Sequence, residues 1–237
     1  MNKVQLYNDD CLNTLPKLIQ EGVKVDMILT DIPYEFDLNG GCTGKMAKRA
    51  KKVKDSIRDI SNGIDYDTVF NYFMQICNIP NFLIFCSNKQ ISKIMGWFED
   101  KGLAVTLLVW HKTNAIPCCN LNYLSNSEFI VYVRDKGAYW NNDLPMAMKS
   151  KVFTSPMTPS INRQHPAQKR IDQLDRYIQL HSKEDDTILD AFMGSGTTGV
   201  SAVKNKRNFI GIEIDNKYFD IAKLNINAEN KQTQLVF

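Results

Sequence analysis

Apolar residues recur along this chain at two spacings. Val4 and Leu6 alternate with polar neighbours and read as a short strand ending near Asn8-Asp9-Asp10. Leu12, Leu15, Leu18 and Ile19 then follow helical spacing. A strand is predicted over residues 25–30. Residues 35–63 after it are polar, glycine-spotted and basic, which predicts a mobile loop. Helical periodicity returns over 66–77, 88–101, 168–180, 197–204 and 216–227. Short apolar runs lie between these at 82–86, 104–110, 128–133, 187–192 and 209–214. Phe82-Leu83-Ile84-Phe85-Cys86 is apolar throughout, the mark of a strand covered on both faces. Residues 136–164 have little periodicity and are interrupted by Pro145, Pro156 and Pro159. Seven strands, most separated by helices, predict one α/β domain over residues 1–237 with a mostly parallel sheet. Such sheets bind ligands at the carboxyl ends of strands, where the strand order reverses.

Two strand ends carry chemistry. The first is Thr30-Asp31-Ile32-Pro33-Tyr34. A residue before proline is pushed out of the helical region, so the chain leaves the strand extended, with backbone carbonyls that no helix uses. Asp31 offers a carboxylate, Ile32 or Pro33 a carbonyl, and Tyr34 a flat ring. Two acceptors and a ring form a clamp for a planar amine such as the exocyclic amino group of a nucleobase. The plainer alternative is a strand end with a capping aspartate and a proline turn.

The second is Asp190-Ala191-Phe192-Met193-Gly194-Ser195-Gly196-Thr197-Thr198-Gly199, a strand, a glycine loop and the start of a helix. The glycines let the backbone come close to a ligand, and the free N–H groups of a helix start favour a negative group. The next strand ends at Glu213, and an acid at that place commonly grips ribose hydroxyls. Two cofactors compete. Gly194, Gly196 and Gly199 fit the G-x-G-x-x-G spacing of a dinucleotide site. Asp190 beside the loop would oppose a pyrophosphate, and it suits the amino group of S-adenosylmethionine.

Composition adds less. No run of about 18 apolar residues exists to span a membrane, and the first residues lack an apolar signal segment, so a cytoplasmic protein is expected. Cysteines at 11, 42, 77, 86, 118 and 119 lack metal-ligand spacing and read as free thiols, and no metal is expected. Net charge is only +3, but Lys45, Lys48, Arg49, Lys51, Lys52, Lys54 and Arg58 form a basic run with Asp55 as its only acid. The run is either a solvated helix face or a contact for phosphates.

With both strand ends in view, the chain resembles the β-class amino-methyltransferases of DNA, which modify adenine N6 or cytosine N4. Asp31-Ile32-Pro33-Tyr34 matches that family's D-P-P-Y, with Ile32 in place of the first proline. Asp190 to Thr198 matches its D-x-F-x-G-S-G-T-T loop. His165-Pro166-Ala167-Gln168-Lys169-Arg170 is similar to H-P-T-Q-K-P, and Trp110-His111-Lys112-Thr113-Asn114 to W-x-K-x-N. The clamp comes first and the glycine loop late, the order that defines the β class.

The resemblance implies a Rossmann-like, class I methyltransferase sheet of seven strands in permuted order. It implies S-adenosylmethionine as cofactor, DNA as partner and a two-fold homodimer. The methionine end would be held by Asp190, Phe192, Gly194, Ser195, Gly196 and Thr197, with Lys169 nearby. Glu213 would hold the ribose, and Asp10, with Cys11 beside it, would lie near the cofactor's adenine. Asp31, Ile32, Pro33 and Tyr34 would act on the target base, with Trp110 and Lys112 bordering its pocket. Lys51 and Lys52 would contact DNA phosphates, and residues 136–164 form a candidate target-recognition insertion. Asp in the first clamp position is the family's usual choice for adenine N6 and Ser for cytosine N4, so adenine is expected. The rival readings are a cytosine-N4 enzyme, a nicotinamide-dependent oxidoreductase, and an inactive DNA-binding relic in which Ile32 marks decay.

Overall fold

The all-apolar run at 82–86 lies at the middle of the sheet. Every residue of the strand Asn81–Cys86 (β3) is buried in the computed structural model, which describes residues 2–35, 64–115, 123–157 and 169–235. Phe82 and Ile84 face one side and Leu83 and Phe85 the other, as the two-residue repeat of a strand dictates.

Around β3 are Val4–Tyr7 (β1), Met27–Asp31 (β2), Ala104–Lys112 (β4), Ser127–Arg134 (β5), Val152–Ser155 (β6), Thr187–Asp190 (β7) and Asn208–Ile212 (β8). They form an eight-stranded sheet in the order β1-β8-β7-β2-β3-β5-β4-β6. Only β5 runs against the others, antiparallel to both β3 and β4.

The sequence predicts seven strands, and the eighth is β6. Val152 is 48% exposed and only Ser155 of that strand is buried, so β6 has no apolar run to betray it. It adds to the edge of β4 through backbone pairing, with Phe153 beside Trp110 and Ser155 beside Lys112.

Helices cover both faces. On one side lie Cys11–Gln20 (α1), Tyr66–Ile76 (α2) and Ile91–Glu99 (α3). Their Leu15, Leu18, Phe70, Phe73 and Phe98 pack on Ile28, Phe82 and Val131. On the other side lie Ile171–His181 (α4), Thr197–Lys204 (α5) and Asn216–Leu235 (α6). There Leu174, Tyr177, Val203, Ala222 and Ile226 pack on Met27, Leu29, Leu83 and Ile188. The predicted helix over 216–227 runs on to Leu235.

The strand order turns between β7 and β2, which are parallel neighbours through Met27–Ile188 and Ile28–Leu189. From β7 the sheet grows through β8 to β1, and from β2 through β3. Asp31 and Asp190 end these two central strands, so both chemical corners stand at the point where a doubly wound sheet opens a crevice.

Helix α5 approaches α6 and β8 closely at Gly199. A Cβ there would lie 2.5 Å from Ile226 Cδ1 and 2.6 Å from the Phe209 ring. Alanine in a helix interior ordinarily stabilises by up to ~1 kcal/mol over glycine. Gly199→Ala should instead destabilise by about 1–3 kcal/mol, as overpacked cores do. A melting temperature at or above the parent's would remove this packing account.

Candidate active site

Asp31 is the last residue of β2, and its side chain is 25% exposed. Ile32 turns inward and is 1% exposed among the apolar residues under the sheet. An apolar side chain suits that place whether or not it is proline. The Pro33 carbonyl accepts from Gln90 Nε2 at 2.9 Å. Buried Gln90 also donates to the Tyr66 hydroxyl at 3.0 Å and accepts from the Ser87 N–H at 2.9 Å. Tyr66 in turn donates to Glu35, which pairs with Lys93 at 2.9 Å. This chain of bonds fixes the turn after Asp31 and engages the Pro33 carbonyl, which leaves Ile32 as the candidate second acceptor.

The centre of the site is the Lys169 ammonium, 7% exposed. It lies 2.7 Å from Asp31 Oδ2 and 3.1 Å from Glu128 Oε2, and it donates to the Tyr34 hydroxyl at 3.1 Å. It also stands 5.2 Å over the Tyr34 ring and 4.9 Å over the Phe85 ring. Lys112 closes the cluster, 2.6 Å from Glu128 Oε1 and 5.2 Å over Trp110. Trp110 is 3% exposed and donates to Ser155 Oγ at 2.9 Å, so strand β6 anchors its indole.

Electrostatics follow from burial. Burial pushes the Asp31 carboxyl up; Lys169 works against this, Glu128 adds to it, and the net shift is upward. Burial also opposes charge on Glu128, but Lys169 and Lys112 outweigh it and hold that carboxyl below its usual range. Burial opposes the Lys169 charge too, and Asp31 and Glu128 overcome it and raise the ammonium's pKa. Asp31 Oδ1 is buried and has no hydrogen-bond partner among the described residues. A buried acceptor left unpaired is costly, on the order of 1–3 kcal/mol, and at a strand tip it marks a place for a donor.

The second corner is contiguous with the first. Thr30 Oγ1 donates to Asp190 Oδ1 at 2.7 Å, and the Phe192 N–H donates to the same oxygen at 3.1 Å. Asp190 is 2% exposed, and burial pushes its carboxyl up to about 6 against the pull of Thr198, Thr30 and the Phe192 N–H. Gly194 and Gly196 both have positive φ, 53° and 81°, a conformation glycine adopts without strain. Ser195 and Thr197 are buried in the turn, and Asn225 of α6 holds the Ser195 carbonyl at 3.0 Å. Glu213 Oε2 accepts from the Gly194 N–H and Oε1 from the Asp215 N–H, each at 2.8 Å, which ties the next strand's acid to the glycine loop.

Asp10 caps α1 through the Leu12 N–H at 2.9 Å. It stands beside that acid because the Glu213 N–H donates to the Tyr7 carbonyl at 3.0 Å. Cys11 is buried and its thiol is pushed up to about 12, so it is a packing residue without nucleophilic character.

The structure thus brings Asp31, Tyr34, Lys169, Lys112 and Trp110 together, and Asp190, the glycine loop, Glu213 and Asp10 beside them. Lys169 stands on the clamp aspartate. Glu128 and Gln90 carry no motif in the sequence, and their place is set by pairing across the sheet. The basic run with Lys51 and Lys52, and residues 165–168, lie outside the described residues. Among the described residues no group of three or more His, Cys, Asp or Glu could hold a metal ion, and no helix is long and apolar enough to cross a membrane.

These residues fit an amino-bearing, ribose-bearing cofactor. Asp190 is a buried carboxylate with no cation among its partners, Glu213 stands at the next strand tip, and the loop between them is held open by two left-handed glycines. Comparison with known proteins agrees. The family model described as DNA methylase, N6_N4_Mtase, matches residues 25–224. The type II methyltransferase M2.DpnII of Streptococcus pneumoniae is 32% identical, over 97% of this chain and 92% of its own length. The crystal structure of the M1.HpyAVI–SAM complex superposes with a TM-score of 0.72 at 28% identity, over 94% of this chain and 99% of that one. The cytosine-N4-specific PvuII DNA methyltransferase shares the fold, with a TM-score of 0.69 at 14% identity, over 98% of this chain and 93% of that one. The chain belongs to the N6/N4 DNA methylases, enzymes that methylate DNA with S-adenosylmethionine.

Proposed function

We propose that the methyl group goes to the N6 amino group of adenine, on a base swung out of the duplex. The observation that carries this reading is the unpartnered Asp31 Oδ1, beside a buried acid, Asp190, suited to the cofactor's amino group. The family's usual pairing of Asp in the first clamp position with adenine supports adenine over cytosine.

S-adenosylmethionine supplies a methyl group on a positively charged sulfur. The chain's own residues prepare the nitrogen. An adenine amino group is a poor nucleophile because its lone pair is delocalised into the ring. Asp31 Oδ1 and the Ile32 carbonyl accept its two N–H bonds and favour a pyramidal nitrogen. The lone pair would then be free for an in-line attack on the methyl, the sulfonium leaving as a neutral thioether, and the surplus proton on nitrogen would pass through Asp31 to water. A charge-assisted hydrogen bond contributes on the order of 1.5–3 kcal/mol. Leaving the stack costs a base a few kcal/mol, roughly what stacking on Tyr34 restores. The rest is positioning and electrostatics. Asp190 would pair with the cofactor's amino group, Phe192 and the turn at Gly194, Ser195, Gly196 and Thr197 would hold its methionine end, Glu213 its ribose, and Asp10 with Cys11 would border its adenine.

Long-read mapping of modified bases in DNA from cells expressing the protein tests the base. N6-methyladenine at one short motif is expected, and Asp31→Ala should lower the rate by about a hundredfold or more. N4-methylcytosine at that motif would reassign the base, and an Asp31→Ala variant as active as the parent would remove the clamp.

Cofactor binding should follow Asp190. Below about pH 6 the carboxyl is protonated and cannot pair with a cation, so affinity for S-adenosylmethionine should rise as pH passes through that value. Without cofactor the sign is opposite. The folded pKa is raised, so folding stability is greatest at low pH and declines as pH climbs through about 6. Asp190→Asn should therefore bind the cofactor at least tenfold more weakly, with no pH step. It should still melt no lower than the parent at about pH 8, where the cost of a buried charge, ~1.4 kcal/mol for each tenfold change in acidity, is relieved. Calorimetry and thermal melts read both effects.

Lys51 and Lys52 are proposed to contact DNA phosphates. Reversing both charges should weaken binding to all sequences alike and reduce the salt slope by roughly 0.9 for each phosphate no longer neutralised. Unchanged binding across a salt series would discard that role.

A further inference from the structure

The Asp31 clamp reading leaves Glu128 without a task, although its side chain is only 20% exposed and touches both lysines of the site. Lys169 faces three oxygens: Asp31 Oδ2 at 2.7 Å, the Tyr34 hydroxyl at 3.1 Å and, as an ion pair outside hydrogen-bond geometry, Glu128 Oε2 at 3.1 Å. Those oxygens come from the end of β2, the turn after it and the antiparallel strand β5, which β3 separates from β2. Glu128 Oε1 is itself held by Lys112 of β4 at 2.6 Å. Two carboxylates and two ammoniums balance in charge, and each lies where a lone charge would be strongly disfavoured. Lys169 engages only one edge of Asp31, and the other oxygen, Oδ1, is buried without a partner.

We infer that Lys169 and Glu128 are positioning residues of the clamp. Lys169 grips the Asp31 carboxylate by Oδ2 and Tyr34 by its hydroxyl, leaving Oδ1 for the incoming amino group, and Glu128 with Lys112 keeps Lys169 in that place. One ammonium thereby sets the distance between the acceptor and the stacking ring. The inference rests on Asp31 being the acceptor of the target amine.

The test compares Glu128→Gln, Lys169→Met, Lys169→Arg and Asp31→Asn with the parent, on unmodified DNA, with kcat and KM followed across about pH 5 to 9 and S-adenosylmethionine affinity measured by calorimetry. Glu128→Gln should lower kcat by about 10- to 100-fold and Lys169→Met by about 100-fold or more, as small misplacements of a reacting group do. Cofactor affinity should stay within about twofold of the parent, since neither side chain holds the cofactor under this reading, and Lys169→Arg, which keeps the charge but not the ammonium's geometry, should recover only part of the loss.

The acidic limb of the kcat profile separates positioning from mere packing. Asp31 is faced by Lys169, Tyr34, Glu128 of β5, Cys86 of β3 and Asp190 of β7, and Glu128 is in turn paired with Lys112 of β4. Removing the cation in Lys169→Met raises the limb to higher pH, and removing the anion in Glu128→Gln lowers it. Limbs that stay in place, kcat at the parent's level in both variants, or a loss confined to cofactor affinity would each overturn the inference. Asp31→Asn tells the two failures apart. If it is inactive while the others match the parent, only the positioning role falls. If it is fully active, the clamp and this inference fall together.

Discussion

The hydrogen bond from Thr30 to Asp190 joins residues 160 positions apart and locks the two strand ends of the site side by side. It exists because β2 and β7 are parallel neighbours at the point where the strand order turns. Parallel pairing of this kind closes a long loop before any contact rewards it. Once made, it is buried on both faces by two apolar layers, and the tips of the two strands cannot drift apart independently. The carboxylate proposed to grip the target base and the one proposed to grip the cofactor are then held in one crevice by the same ladder. Chain order becomes irrelevant to the chemistry, and a permuted order of motifs yields the same site.

That constraint explains why the clamp is legible in the sequence and why its support is not. Asp31, Tyr34, Asp190 and Glu213 are marked by neighbours within a few residues: a proline step, a glycine turn, the end of an apolar run. Local spacing reports such features directly. Glu128 and Gln90 have no such neighbours. Glu128 is an acid in a strand and Gln90 a polar residue before a helix, and each acquires its role only when β5 crosses beside β3 or when α3 is placed under the turn. Register between distant strands leaves no mark in a window of ten residues. Strand β6 escapes sequence reading for a related reason. Its backbone pairs with β4, but its side chains are mostly exposed, so it lacks the apolar repeat by which the other seven strands are read.

Ile32 shows where side-chain identity and function separate. The resemblance expects proline there, and isoleucine is 1% exposed in the core beneath the sheet. Pro33 still follows it and still holds the backbone extended. Gln90 already engages the Pro33 carbonyl, the proposed acceptor is the Ile32 carbonyl, and a backbone carbonyl does not depend on the side chain its residue carries. The substitution exchanges one buried apolar group for another and is therefore weak support for a decayed site.

Buried neutral groups away from the site, among them Gln173, Tyr132 and His181, also lack hydrogen-bond partners among the described residues, but the site differs in leaving an acid's oxygen unmet. Elsewhere buried charges have close partners: Arg207 is satisfied by the Ser182 hydroxyl and carbonyl and the Asn205 carbonyl, and Asp175 by Ser201, Lys204 and Asn205. At the crevice, Asp31 keeps one oxygen bare, and the hydroxyl and amide partners of Asp190 do not offset its burial, which pushes the carboxyl up to about 6. Each arrangement destabilises the empty protein and favours a bound donor or cation, because the binding partner removes the desolvation cost that folding left in place. The rigid two-faced core is what permits this. A smaller or looser sheet would relax around the bare oxygen by turning it to water, and the acceptor proposed for the target amine would lose its preorganisation.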